Sequence, residues 1–452
     1  MGFKPIFEEE RQFFREKTGI DLPTECWRSG SKIYLDFTSP KPLIEFKVEN
    51  GKINITKDRR NGYIEKKKQI YLPKQKKLNE LIELNRDRIN SIYQKSILLT
   101  IEMIKKYPNH FYLISYSGGK DSVVTYNVWK EALSQIDNPP EWVINFANTS
   151  NDTADTYREI KSLPQDKLNI LNPKIGFYQW IENVKHYYLP SIRVRNCCST
   201  YKEGQTNKAY DNDRPTIMVS GLRSKESTKR SKYSNLMTYE WSMEHIGSYN
   251  LPKKWIMFAP LCEDWADEDI WLYLLMTKTH FNPMYNKGFH RVGCLICPFQ
   301  QDYVDLLIQY WYPKAWERWL KILRKNYDIT LVEKTLKWTF EEWANGEWKS
   351  NFSKEHMIIS QKSTPERVKE LAELKGISEA MAIKYFNRTC PCGKKLNPTE
   401  IAMFFKTQGR LENQEDNRDI LCKSCLCDKM GWTKTQYKEK RIEFQDSGCN
   451  LF

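Results

Sequence analysis

At 452 residues the chain exceeds one ordinary domain, and its 40% hydrophobic and 28% charged residues supply a large core and exclude wholesale disorder. A total of 71 Lys and Arg against 57 Asp and Glu leaves a formal charge of +14, so the surface attracts polyanions such as DNA, RNA or phosphorylated nucleotides. The first residues carry neither a secretory nor a myristoylation pattern, and the most apolar early run, residues 96–104, is about half a bilayer crossing. A cytoplasmic protein with no membrane span is expected.

Residues 32–37, 44–48 and 53–55 alternate as short strands, the last two meeting across the turn signal Asn50-Gly51. Residues 74–106, dense in Lys, Glu, Leu and Ile, predict a long helix that stops before Pro108, so residues 1–107 form an N-terminal β and helical extension. From Phe111 the pattern becomes a βα alternation. Strands are expected at 111–116, 142–146 and 216–220, with helices from Asp121 to about Ser134, at 152–162 and at 177–187. That alternation implies a doubly wound, mostly parallel α/β sheet over residues 108–300, with ligands at the carboxyl ends of its strands.

Residues 301–388 read as helical. Their aromatic residues at helical spacing, among them Tyr310, Trp311, Trp316 and Trp319, suit a core seam better than base stacking, and Ser363-Thr-Pro-Glu366 opens a capped helix. Residues 389–452 form a cysteine-rich, zinc-ribbon-like module and tail.

Between the first strand and helix of the α/β region stands Ser117-Gly118-Gly119-Lys120-Asp121-Ser122. Two glycines there let the backbone approach an anion, the helix start aims amides at it, Lys120 adds a mobile charge, and Ser117 and Ser122 add hydroxyls. The spacing is not that of the kinase and GTPase phosphate loop, so a different nucleotide chemistry is implied.

This loop resembles that of the PP-loop superfamily of ATP pyrophosphatases, and within it the phosphoadenosine phosphosulfate (PAPS) reductase family. Gly221-Leu-Arg223-Ser-Lys-Glu226-Ser-Thr-Lys-Arg230 is similar to that family's segment after the third strand, as are Pro260-Leu261, Trp265 and Asn282-Pro283-Met-Tyr285-Asn-Lys-Gly288 to its later motifs. The resemblance covers roughly residues 111–299. It implies nucleotide binding by residues 117–122 with Gly221, and anion contacts from Arg223 and Arg230 in a catalytic set with Lys120 and Asp121. One departure stands out: Asn148-Thr149-Ser150 replaces the family's Asp-Thr-Gly, removing an expected carboxylate.

With no secretory signal, clustered cysteines read as metal ligands before disulfides. Cys197-Cys198 and Cys294-Leu-Ile-Cys297 offer four thiolates, which suit a [4Fe–4S] cluster first, then zinc, then plain buried thiols. The pairing is similar to that of the adenylylsulfate-reducing and DNA-phosphorothioating branches of the family, and Lys202 is placed by that likeness between cluster and substrate. Cys390-Pro-Cys392 and Cys422-Lys-Ser-Cys425 look like two zinc knuckles, the first one residue short, with Cys427 a substitute ligand. Cys449, in the tail, is a candidate sulfur carrier.

Two enzymatic functions follow, a transferase and an oxidoreductase. In the first, ATP with Mg²⁺ is cleaved to AMP and pyrophosphate to activate a nucleic acid for sulfur insertion, as in DndC-like proteins. In the second, a phosphoadenylyl or adenylyl sulfate is reduced with release of sulfite. Either needs a sulfur or electron donor protein. A non-catalytic nucleic-acid-binding adaptor is the reading outside enzymology.

Overall fold

The computed structural model describes residues 2–60, 76–192, 196–228, 230–247, 249–333, 338–350, 363–375, 378–386, 389–408 and 419–446. The chain separates into two compact units, one comprising Met1–Asn326 with Trp338–Ser350, the other Tyr327–Lys337 with Asn351–Phe452. The N-terminal extension and the α/β region therefore share one unit, which also takes in part of the aromatic-rich stretch after residue 300.

A five-stranded antiparallel sheet opens the first unit: β1 (Lys4–Pro5), β2 (Trp27–Ser29), β3 (Lys32–Tyr34), β4 (Ile44–Glu49) and β5 (Lys52–Asp58), in that order. β1 and β2, unmarked by any alternation in the sequence, place Lys4 opposite Arg28. Glu10 resolves that like-charge pair, with one oxygen 2.6 Å from Lys4 Nζ and the other 2.6 Å from Arg28 Nε. Arg28 also donates to Gly288 O at 2.6 Å, clipping the extension onto the α/β region.

The helix Leu78–Lys106 buries Ile97, Ile101 and Ile104 against the main core, the i, i+4, i+7 face expected of an amphipathic helix. Ser96 joins it polar-to-polar, accepting from Trp265 Nε1 and donating to Pro260 O, each at 3.0 Å. No described helix is long and apolar enough to cross a membrane.

The second sheet holds β6 (Phe111–Ser115), β7 (Trp142–Ala147), β8 (Leu168–Leu171), β9 (Thr216–Val219), β10 (Leu236–Met237) and β11 (Trp255–Phe258) in the order β10-β11-β9-β6-β7-β8. All pairings are parallel except the β10 edge. β6 and β9 are adjacent, and the chain leaves them in opposite directions across the sheet. That switch point is where a doubly wound sheet opens a crevice at its carboxyl ends. The helix following β6 runs Lys120–Leu133. The helix expected at 177–187 is a short α turn continued by a π turn, Trp180–Val184, which ends where His186 and Tyr187 take positive φ.

In the second unit, helices Pro365–Lys375 and Glu379–Phe386 pack on each other, and Pro398–Gln408, Lys423–Met430 and Lys434–Asp446 complete the set. Their core is apolar, including Leu371, Tyr385, Ile401, Phe404 and Leu426.

Candidate functional site

Ser117 and the two glycines bridge β6 to its helix. Gly118 has φ +74°, a left-handed conformation that costs glycine little and other residues about 1 kcal/mol or more. Gly119 is the N-cap and offers no capping side chain, so the first helical amides are left to outside acceptors. Ser122 braces the turn from inside: its hydroxyl donates to Gly119 O at 2.8 Å and accepts from Ser117 N at 3.3 Å. Tyr285 takes another amide, its hydroxyl accepting from Lys120 N at 2.8 Å. Among the described residues the amides of Gly118, Gly119, Asp121 and Ser122 have no protein acceptor. Gly221, after β9, comes so close that a Cβ there would lie 2.8 Å from the Asp121 carbonyl carbon.

Behind the turn lies a buried charge cluster. Lys120 Nζ is 2.9 Å from both Asp121 and Asp267, while Arg223 donates to Asp121 at 2.6 Å and to Asp267 at 2.7 Å. Burial alone would lower the Lys120 pKa, yet the two carboxylates raise it above its ordinary value. Burial likewise opposes ionisation of Asp267, and Lys120 and Arg223 overcome it, holding the carboxyl well below the usual range. His290 sits beside them; burial, then the Lys120 charge, push its imidazole down to about 3. Arg223 is 1% exposed, and its Nη1 has no acceptor among the described residues.

Above the turn is a cavity of about 170 Å³ walled by Gly119, Lys120, Asp121, Glu226, Arg230 and Arg291. Glu226 ion-pairs with both arginines. Burial first, and then Arg291, lower the Arg230 pKa, the signature of two guanidiniums converging on one spot. A larger cavity of about 390 Å³ shares the wall formed by Ser117, Ser220, Arg230 and Val292. It has an apolar side, with Met218, Met257 and Leu251, and a side that reaches Asp152, Lys202 and Gly293.

Lys202 links this cavity to the first cysteine set. The Cys294 thiolate, more than any other group, raises the Lys202 pKa, with Cys198 and Cys297 adding to it. Cys197 is pushed up by its hydrogen bond with Cys198, by burial and by Cys294 and Cys297, so the four sulfurs share one neighbourhood. The Cys294–Cys297 loop is pinned from both sides. Asn151 donates to Ile296 O at 2.8 Å and accepts from Ile296 N at 3.2 Å, and Gln300 donates to Leu295 O at 2.7 Å and accepts from Cys297 N at 2.9 Å. Asp152, two residues beyond Asn148-Thr149-Ser150, accepts from the Thr149 amide and hydroxyl at 3.0 and 2.7 Å. It places a carboxylate in the cavity wall where the sequence departure had removed one.

The second cysteine set has another geometry. Cys390, Cys392, Cys422 and Cys425 hold their sulfurs within 4.8 Å of one another, and Cys392 to Cys422 is 3.7 Å. Four thiolates at about 2.3 Å from one tetrahedral ion lie about 3.8 Å apart, so these residues fit a single metal ion. Among the described residues no other set of His, Cys, Asp and Glu groups is gathered this tightly. The sulfurs of the first set are not gathered within that span. Cys427, the proposed substitute, is not one of the four gathered sulfurs.

Residues 112–300 match the family model described as a phosphoadenosine phosphosulfate reductase domain. This segment is similar to that domain. Two uncharacterized proteins of Methanocaldococcus jannaschii are similar to the chain: one is 25% identical over 68% of this chain and 73% of its own length, the other 30% identical over 50% and 43%. The adenosine 5'-phosphosulfate reductase of Anoxybacillus flavithermus is 25% identical over 37% of this chain and 66% of its own.

Within residues 112–300, the residues expected from sequence fall in three places. Ser117, Gly119, Lys120, Asp121 and Arg230 line the cavities, Ser122 and Gly221 border the smaller one while also shaping the turn, and Gly118 shapes the turn without lining either cavity. Arg223 lies behind the turn and lines neither cavity. Lys202 lies within electrostatic reach of Cys198, Cys294 and Cys297. Cys449 lies outside the described residues. Asp267, Tyr285, Arg291 and Asp152 emerge from the structure. Tyr285 stood within a quoted motif, but nothing in its spacing showed that its hydroxyl would reach the Lys120 amide.

Proposed function

We propose that the chain is a PP-loop enzyme of sulfur chemistry that binds ATP and cleaves it between the α and β phosphates to activate a nucleic acid. The observation that carries this reading is a turn with four unclaimed amides, opening on a cavity that ends at Lys202 and the first cysteine set. In this scheme the pyrophosphate end meets the amides, Lys120 and the Arg230–Arg291 pair. An acceptor oxygen attacks the α-phosphorus, pyrophosphate leaves, and a sulfur nucleophile then displaces AMP from the adenylylated acceptor. Asp121 and Asp267 hold Lys120 in place, and the amides and arginines neutralise charge where pyrophosphate departs.

Cys197, Cys198, Cys294 and Cys297 would hold a [4Fe–4S] cluster, which supplies a sulfur- and electron-handling centre beside the cavity. Cys390, Cys392, Cys422 and Cys425 would hold structural zinc.

The similarity to adenosine 5'-phosphosulfate reductases supports a second reading, sulfonucleotide reduction with release of sulfite. Anaerobically purified, iron-loaded protein incubated with ATP and Mg²⁺ is expected to release pyrophosphate. Sulfite from adenylylsulfate with no pyrophosphate from ATP would replace the first reading with the second.

A further inference from the structure

The helix that begins at Pro313 turns Trp316, Trp319, Ile322 and Leu323 into the core, whereas Tyr310 and Trp311 of the expected aromatic seam are only half-buried. Its opposite face carries Lys314, Arg318, Lys321 and Lys325, all exposed. Their spacing of i, i+4, i+7 and i+11 aligns them in one stripe about 16 Å long.

Aromatic rings lie along the stripe. The Arg318 guanidinium sits 4.2 Å from the Tyr178 ring centre, and Lys325 sits 4.9 Å from that of Tyr187 while donating to its hydroxyl at 3.0 Å. Tyr188, next in the chain, is 49% exposed. Segments 174–192 and 313–325 together hold seven Lys and Arg against two acids, Glu182 and Glu317. Glu182 is close enough to favour the charged form of Lys325.

The stripe also adjoins the first cysteine set. Tyr178 packs on Phe177, and Phe177 and Trp180 pack on Tyr201 with ring centres 6.1 and 5.8 Å apart. Tyr201 lies within the electrostatic reach of Cys197.

We infer that this stripe binds single-stranded nucleic acid, with phosphates tracking the four cations and a base stacking on the exposed Tyr188 beside the cation-capped rings of Tyr178 and Tyr187. Regularly spaced cations beside aromatic rings are what an unpaired strand recognises, since every base has a π-face and every linkage a charge. The inference deepens the nucleic-acid reading of the proposed function by locating the acceptor, and it rests on that reading for its purpose, though not for its measurement.

The test is fluorescence anisotropy of the full chain with labelled single-stranded RNA and DNA of one sequence, titrated across salt concentration. Binding by wild type is expected. The variant K314Q/R318Q/K321Q/K325Q should bind at least tenfold more weakly at low salt, with its log–log salt slope reduced by about 3, given roughly 0.7 per phosphate contact. The variant K314R/K321R/K325R should bind as wild type does. If the four-fold variant fails to fold, K314Q/K321Q, which leaves both cation–ring pairs intact, should lower the slope by about half as much.

Unchanged affinity and slope would overturn the inference, as would tighter binding of duplex than of single strand. So would an absence of wild-type binding, or equal competition by polyglutamate, which would mark a surface for an acidic protein. Because the readout is binding, a chain that releases no pyrophosphate can still pass it, so the two proposals fail separately.

Discussion

The two cysteine sets solve the same problem, bringing four thiols together, by opposite means. Around Cys294 and Cys297 the polypeptide does the positioning: Asn151 and Gln300 fix the loop with side-chain hydrogen bonds, and Lys202 offsets the charge. Cys390 and Cys422 instead sit in the apolar core of the second unit beside a tight turn and Glu400, which accepts from Lys423 N at 2.8 Å and Asn397 N at 3.0 Å. Four sulfurs this close would repel one another once ionised, so the second set is suited to being held by a cation, whereas the first has its geometry partly built in.

The sharpest way to break that contrast is to remove one ligand from each set. Cys422→Ser should abolish one zinc per chain and unfold the second unit's helices, because single-ion zinc sites contribute about 10 kcal/mol or more to small folds. Cys294→Ser should empty the first set of iron while leaving the fold and the zinc in place. Metal analysis with hydrogen exchange checks both, and equal unfolding of the two units would refute the contrast.

A second, smaller effect lies in the charge cluster, which needs no metal. Lys120→Met would leave Asp121 and Asp267 facing each other with Arg223 as their remaining partner. Stability in urea should fall by about 3 kcal/mol and nucleotide turnover by at least a hundredfold, with iron and zinc contents unchanged.

The sequence made the chemistry legible where it is local and hid it where it is not. The phosphate turn, its flanking strand and helix, and the cysteine pairs each occupy a few consecutive residues with distinctive geometry, and they lie where the pattern put them. Strands Leu168–Leu171 and Trp255–Phe258 escaped notice because they are four residues long and lack alternation. Asp267 and Arg291 were invisible for another reason: one acidic residue among the three that open the helix Asp267–Met276 looks like helix-dipole compensation, and one exposed arginine looks like surface. Arg223 shows the reverse case. A motif identifies a conspicuous arginine but not which way it faces, and here it faces two carboxylates.

Third in size is the pH response of the cluster. His290 has an ordinary pKa of 6.5 and a folded value of about 3, so the unfolded chain takes up a proton that the native state refuses. Its contribution is complete above pH 6.5 and drains away as the pH falls toward 3. By pH 4.5 the loss should be roughly 2 kcal/mol. His290→Gln should remove that part of the pH dependence, measured as the difference between wild-type and variant urea midpoints at pH 6.5 and 4.5. Parallel curves would show that the imidazole is solvated.

The smallest effect bears most directly on whether the phosphate turn, like the first cysteine set, is arranged before its ligand arrives. Tyr285→Phe removes the acceptor of the Lys120 amide and leaves that donor buried, at a cost of about 1 kcal/mol in the ligand-free protein. If the remaining amides already hold their positions through Ser122 and Gly221, ATP affinity should change by less than threefold. If the turn instead depends on Tyr285 for its shape, affinity should fall tenfold or more with the same loss of stability. The ratio of the two effects therefore measures preorganisation. A large affinity loss would make the turn resemble the second cysteine set, a site completed by what it binds.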